Sequence, residues 1–90
     1  MTRYAAKTDA NQQKIIDALR AAGATVECLS AVGSGCPDIA VGYQGFTYFM
    51  EVKTNKGKLT PDQVEWHASW RGQVAIVRSV DEALELIGVM

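Results

Sequence analysis

The sequence predicts an α/β fold in which a mixed four-stranded sheet is flanked by helices. Three observations predict it: an amphipathic stretch near the start, three short strand patterns in a row, and a helix that leads into a last apolar strand. Consecutive strands favour antiparallel pairing, whereas a helix between two strands is typical of a parallel crossover. The predicted order of elements is therefore αβββαβα.

The first helix is predicted over residues 9–22. Its apolar side chains fall on one stripe, and Gly23 follows as a stop signal. Asp9 and Gln12 fit a capping pair at its beginning. A strand is then predicted over residues 25–29, which begin with β-branched side chains.

A glycine-rich loop over residues 30–37 leads to Asp38, and a β-hairpin follows. Strands are predicted over residues 39–43 and 46–52, joined at Gln44-Gly45, where glycine can adopt the positive φ of a tight turn. Because side chains alternate along a strand, Glu51 and the following Lys53 project to the same side.

The second helix begins with the run Thr60-Pro61-Asp62-Gln63. Threonine caps the helix, proline occupies its first turn, and Gln63 can reach back as in a capping box. We expect this helix to extend to about Trp70 and to pack Trp66 and Trp70 against the sheet or a second subunit. A base-stacking role for these rings is the alternative.

The last two elements are a strand and a helix. Residues 74–77 form a continuous apolar run, which predicts a strand buried on both faces. Ser79 and Glu82 predict a second capping box, which opens a helix that continues to Ile87.

Size and composition favour one small globular domain over residues 1–90. The chain has 48% hydrophobic and 21% charged residues, which is ordinary for a folded protein. No apolar run reaches the length of a membrane span, and the N-terminus is too polar for a signal peptide, so we expect a cytoplasmic protein. Cys28 and Cys36 lack the spacing of a zinc site, and we expect Cys36 to be a loop residue beside the carboxylates of Asp38 and Glu51.

The net charge of −1 argues mildly against a protein that coats DNA. Lys53, Lys56 and Lys58 nevertheless fall close together, directly after Glu51, and can meet a phosphate backbone. The alternative is a loop of solvated lysines with no partner.

Asp38, Glu51 and Lys53 form the most informative pattern in the chain. Mg²⁺ binds through oxygen ligands and commonly meets only one or two protein carboxylates plus substrate phosphate. A neighbouring lysine can hold a nucleophilic water or offset the charge that builds on phosphorus. The alternative is a surface ion pair at the strand ends, which would stabilise the fold by only about 0–1 kcal/mol.

The chain resembles a known nuclease family at these and several further positions. The matching segments and residues are Gly35-Cys36-Pro37-Asp38, Glu51-Val52-Lys53, Gly57-Lys58-Leu59-Thr60-Pro61, Gln63 and His67. With the order of elements, these residues resemble the PD-(D/E)xK nuclease superfamily, and more closely the small stand-alone VRR-Nuc domains of phages and bacteria. The resemblance implies a restriction-endonuclease-like αβββαβα core.

The same resemblance implies hydrolysis of DNA phosphodiester bonds that depends on Mg²⁺ or Mn²⁺. Asp38 and Glu51 would bind the metal with the backbone carbonyl of Val52, and Lys53 would orient the attacking water or stabilise the pentavalent phosphorus. Gln63 would lie over the same site from the second helix. Stand-alone members tend to be homodimers that act on branched DNA such as four-way junctions, which implies a resolvase-like activity inside a bacterial or phage-infected cell.

Four further positions have expected but less defined roles. Gln12 stands where many family members have a glutamate directed at the metal, and His67 lies one helical turn after Gln63 on the same face. Lys56 and Lys58 are the candidate DNA-binding residues. A DNA-binding or protein-interaction module with the same fold and no turnover is the alternative to an enzyme.

Overall fold

The computed structural model describes residues 10–90, and its elements follow the predicted order αβββαβα. Asp9, the predicted capping residue, lies outside these residues. The elements are α1 (Ala10–Ala21), β1 (Thr25–Cys28), β2 (Ile39–Tyr43), β3 (Phe46–Val52), α2 (Pro61–Ser69), β4 (Ala75–Val77) and α3 (Val80–Leu86).

The four strands form one mixed sheet in the order β1-β2-β3-β4, as the sequence predicts. The first three strands are antiparallel, and β4 runs parallel to β3 after the connection through α2. In the hairpin between β2 and β3, Gln44 has φ 50° and Gly45 has φ 85°. Two consecutive positive φ angles match the twist of the flanking strands, which explains the tight connection.

The hydrophobic core lies between one face of the sheet and the pair α1 and α3. Ile15 and Leu19 of α1 are fully buried with Ile39, Val41 and Met50 of the central strands. Ala83 and Ile87, at the other end of the chain, complete the same cluster. Burying a side chain of this size contributes about 1.5–3 kcal/mol, so these few residues supply much of the stability of a small domain.

Helix α2 packs on the opposite face of β3. Phe49 alternates with the core residue Met50, and its ring lies edge-on to Trp66 of α2 and to Trp70, which directly follows this helix. The ring centroids are 6.2 Å apart for Phe49 and Trp66 and 5.2 Å apart for Phe49 and Trp70, while Trp66 and Trp70 stack at 4.7 Å. The two tryptophans therefore contact the sheet, one of the two arrangements expected from the sequence.

The prediction that the last strand is buried on both faces is wrong. Val77 is 2% exposed, but Ile76, whose side chain points to the other face, is 37% exposed. The reason is the position of β4 at the edge of the sheet, where β3 is its single neighbouring strand. An apolar run alone does not distinguish a central strand from an edge strand.

Among the helices of residues 10–90, none is long and apolar enough to cross a membrane.

Candidate functional site

Asp38 lies directly before β2, at the end of the β2–β3 hairpin opposite its turn. Its carbonyl oxygen accepts a hydrogen bond from the Leu29 amide at 2.8 Å, which ties it to the end of β1. Its carboxylate oxygen Oδ2 accepts a hydrogen bond from the Val52 amide, also at 2.8 Å. Ile39 pairs with Met50, so one step further along the antiparallel register Asp38 stands opposite Glu51. Opposed residues share a face, and the two carboxyl groups therefore meet.

Glu51 is a buried acid, only 1% exposed, near the end of β3. Its Oε2 atom accepts a hydrogen bond from Gln63 Nε2 at 3.1 Å and lies 3.7 Å from Lys53 Nζ. Its other oxygen, Oε1, is buried and has no hydrogen-bond partner among residues 10–90. The pKa of Glu51 is raised to about 8: burial is the largest cause, the hydrogen bond with Asp38 and the charge of Asp38 act in the same direction, and Lys53 opposes them.

Gln63 joins the start of α2 to Glu51. Its amide nitrogen Nε2 donates to Glu51, while its Oε1 atom accepts a hydrogen bond from the Thr60 amide at 2.9 Å. Thr60 completes the capping box, because its hydroxyl oxygen accepts from the Gln63 amide at 3.3 Å. The capping role and the contact with Glu51 therefore coexist in one side chain.

Gly35 brings the loop before Asp38 against the start of α2. It has φ +83°, and a Cβ atom there would collide with the carbonyl group of Asp62. Only glycine permits this close backbone approach. The next residue, Cys36, lies beside the acids as predicted: burial raises the pKa of its thiol, and the charges of Glu51 and Asp38 raise it further.

The first turn of α1 reaches the same end of β3. Asn11 Nδ2 donates a hydrogen bond to the carbonyl oxygen of Lys53 at 3.2 Å. Gln12, the next residue, is 6% exposed and shares the buried stripe of Ile15 and Leu19. The sequence singled out Gln12 but not Asn11, because no local signal marks a side-chain amide that binds a carbonyl group in a distant strand.

His67 lies on α2, one turn after Gln63. Its Nε2 atom is buried and has no hydrogen-bond partner in the described part of the chain. Burial lowers the pKa of His67, and the positive charge of Lys53 lowers it further. The imidazole is therefore neutral near neutral pH.

Lys56 and Lys58, the candidate DNA-binding residues, are both exposed on the connection between β3 and α2. Lys53, at the start of this connection, is more enclosed, with its side chain 16% exposed. The structure thus separates one lysine that contacts Glu51 from two that face solvent.

The site offers oxygen ligands rather than a cluster of soft ligands. Within residues 10–90 there is no group of three or more histidine, cysteine, aspartate or glutamate side chains arranged to hold a metal. Two adjoining carboxylates, one with a buried oxygen that lacks a partner, still fit a hard divalent cation, which takes few protein carboxylates and completes its shell with water or phosphate. The arrangement can therefore hold a cation beside a lysine ammonium group.

Neither protein-family models nor curated proteins match the chain. A solved structure described as a VRR_NUC domain does match it, with 32% sequence identity and a TM-score of 0.69. The match covers 84% of this chain and 88% of that chain. At this identity and coverage the similarity includes the sequence as well as the fold, and the chain belongs to the VRR-Nuc family of nuclease domains.

Proposed function

We propose that this protein is a metal-dependent DNA endonuclease that hydrolyses phosphodiester bonds in branched DNA as a homodimer. The observation that carries the proposal is the meeting of Asp38 and Glu51, with the buried Oε1 atom of Glu51 left without a hydrogen bond among residues 10–90. Membership in a family of nuclease domains supports the same conclusion.

Asp38 and Glu51, together with the backbone carbonyl of Val52, are the proposed metal ligands. A buried carboxylate beside a second carboxylate is unfavourable without a counter-charge, and the pKa of Glu51 is raised first by burial and then by Asp38. A divalent cation offsets both charges. When bound, Mg²⁺ or Mn²⁺ supplies Lewis-acid polarisation of a phosphoryl oxygen and makes water a stronger nucleophile.

Lys53 is the proposed group that acts on the reacting phosphate. Its ammonium nitrogen, 3.7 Å from Glu51 Oε2, is held at the edge of the acidic pair and remains partly open to solvent. From there it orients the attacking water or offsets the negative charge that builds on phosphorus. The water oxygen bonds to phosphorus as the P–O bond to one sugar oxygen breaks. A proton from the water ends on that leaving oxygen, so the products are a phosphate end and a hydroxyl end.

Gln63 is proposed to complete the catalytic group by holding the Glu51 carboxylate from α2. Gln12 and His67 are proposed accessory residues. Gln12 belongs to the helical turn that contacts the end of β3 through Asn11, and the neutral His67 is close enough to Lys53 for its pKa to respond to the lysine charge.

Lys56 and Lys58 are proposed to bind the DNA backbone, because both are exposed on the segment that directly follows the acidic pair. Each phosphate neutralised by a lysine releases counterions and makes DNA binding dependent on salt. Cutting both strands of a junction requires two sites, and a two-fold symmetric dimer supplies them from one chain.

The test of the enzyme compares labelled duplex, flap and four-way-junction DNA, each with Mg²⁺, Mn²⁺ or EDTA. We expect the parent protein to cut branched DNA with metal and not with EDTA. Asp38→Asn and Lys53→Ala should each lower the rate about 100-fold or more, the usual effect of removing a group that stabilises developing charge.

Matched controls are Asp81→Asn on α3 and Lys14→Ala on α1, which change the same charges at exposed positions on the two helices that pack against the core face of the sheet. Both should cut like the parent. Cleavage at the parental rate by Asp38→Asn or Lys53→Ala would contradict the residue assignment. DNA binding without cleavage in either metal would favour the alternative, a module without turnover.

The dimer has its own measurement. The chain has a mass of 9.7 kDa, so light scattering at micromolar concentration should give about twice that value for a dimer. A mass that stays at the monomer value, with and without junction DNA, would contradict the proposed assembly.

A further inference from the structure

An arginine that directly follows β4 holds the turn that carries Lys56. Arg78 follows β4, and its Nη1 atom donates to the carbonyl oxygens of Thr54 at 2.6 Å and Gly57 at 2.8 Å. The Asn55 carbonyl oxygen lies 3.5 Å from the same atom. One guanidinium nitrogen therefore bridges both ends of the turn over residues 54–57, which the bond from the Gly57 amide to the Thr54 carbonyl also closes, at 3.1 Å.

Arg78 is itself firmly held. Its amide donates to Glu82 Oε1 at 2.7 Å, and Glu82 belongs to the first turn of α3, where Ser79 caps the helix. The preceding residue, Val77, accepts a hydrogen bond from the Lys53 amide at 3.1 Å. The guanidinium group thus projects from the junction of β4 and α3, a rigid part of the fold, toward the turn.

The carbonyl groups of the turn face Arg78, while the side chains of Lys56 and Lys58 are exposed. The positive charge of Arg78 is directed at backbone oxygens, which are its hydrogen-bond acceptors, and it is half-buried. The two lysines point to solvent, where a phosphate can reach them. Arg78 and the lysines therefore have different surroundings despite their equal charge.

We infer that Arg78 is a positioning residue for DNA binding: it holds the turn over residues 54–57 in one shape and so presents Lys56 and Lys58 to the phosphate backbone. This inference rests on the proposed function, in which those lysines bind DNA. A turn that is already ordered loses less conformational entropy on binding, so the same two lysine contacts give a higher affinity.

A double-mutant cycle tests whether Arg78 acts through the lysines. All variants carry Asp38→Asn, so that the DNA stays intact, and fluorescence anisotropy measures the affinity for a four-way junction. Arg78→Gln should weaken binding about tenfold, because a turn that is no longer held in place loses more conformational entropy when DNA binds. In a Lys56→Gln, Lys58→Gln background, Arg78→Gln should have almost no further effect, because residues that act as one unit are not additive.

Direct contact between Arg78 and phosphate makes the opposite prediction. The loss caused by Arg78→Gln would then be the same in both backgrounds, and the slope of log K against log salt would fall by about one. Either result would overturn the inference. So would an unchanged affinity when both lysines are replaced. Arg71→Gln, which removes an exposed arginine elsewhere, controls for the loss of charge alone.

Amide hydrogen exchange in the DNA-free parent background separates this inference from the proposed function. Arg78→Gln should speed exchange at the Gly57 amide while the core amides of β3 keep their protection. Faster exchange throughout the fold would mean a general loss of stability, and unchanged exchange at Gly57 would mean that Arg78 does not hold the turn; both contradict the inference. These measurements give the same answer whether or not the parent protein cuts DNA.

Discussion

Replacing the buried Glu51 with glutamine should stabilise the metal-free protein at high pH. The folded protein raises the pKa of Glu51 from 4.5 to about 8, mainly because the side chain is buried and secondarily because it meets Asp38. The folded state therefore holds this proton more tightly than the unfolded chain. As the pH rises from about 4.5 to about 8, the free energy of the unfolded state falls relative to that of the folded state, and the parent loses stability.

The magnitude follows from the two pKa values. At about 1.4 kcal/mol per pH unit, the interval between 4.5 and about 8 corresponds to a loss on the order of 5 kcal/mol. This is an upper limit, since water entry and movement of Lys53 reduce the cost of the charge. The quantity to compare is the free energy of unfolding of Glu51→Gln minus that of the parent. We expect this difference to be larger at pH 9 than at pH 5 by at least about 2 kcal/mol.

Urea unfolding in EDTA, at one-unit steps from pH 5 to pH 9, measures this difference. Trp66 and Trp70, stacked beside Phe49, supply the fluorescence signal. Glu65→Gln removes an exposed acid from α2 and should track the parent at every pH. A difference between Glu51→Gln and the parent that stays constant from pH 5 to pH 9 would refute the reasoning, because Glu51 would then ionise equally in both states.

Two further substitutions test the loop contact and the core. Gly35→Ala should lower the free energy of unfolding by about 2–3 kcal/mol, because it combines positive-φ strain with a collision against Asp62. The control is Gly45→Ala, where φ is +85° but the space around the residue is open, and it should lower the free energy of unfolding by only about 1 kcal/mol. Equal losses, measured by urea unfolding, would contradict the close approach. Leu19→Ala should lower the free energy of unfolding by about 2–5 kcal/mol, measured by thermal and urea unfolding, because Leu19 is fully buried. Val64→Ala, at a position 53% exposed, should lower it much less. Similar losses in the two variants would contradict the assigned core.

The parts of the fold that the sequence predicted are those with local chemical signals. Gln44-Gly45 specifies its own turn, and Thr60 with Gln63 specifies the start of α2, because the interacting groups lie within a few residues of each other. The alternation of β3 also placed Glu51 and Lys53 on one side, and their side chains contact each other.

The parts that the sequence did not predict depend on contacts between distant segments. Asn11 binds the Lys53 carbonyl, and Arg78 binds the turn after β3, yet neither residue belongs to a recognisable pattern. The exposure of Ile76 was missed for a related reason: the apolar run is the same whether β4 has one neighbouring strand or two. Pairing partners, rather than local composition, determine these features.

The free-energy cost of burying the Glu51 carboxylate also helps to distinguish an enzyme from a module without turnover. A buried carboxylate next to Asp38 destabilises the fold, and an apolar side chain of similar size would commonly fit such a position at lower cost. Lys53 and Gln63 reduce the cost, but Glu51 Oε1 still lacks a hydrogen bond within residues 10–90. A binding module gains nothing from this arrangement, whereas a cation-dependent hydrolase requires it. Glu51→Gln should therefore increase stability and abolish cleavage together, since one buried charge causes both effects.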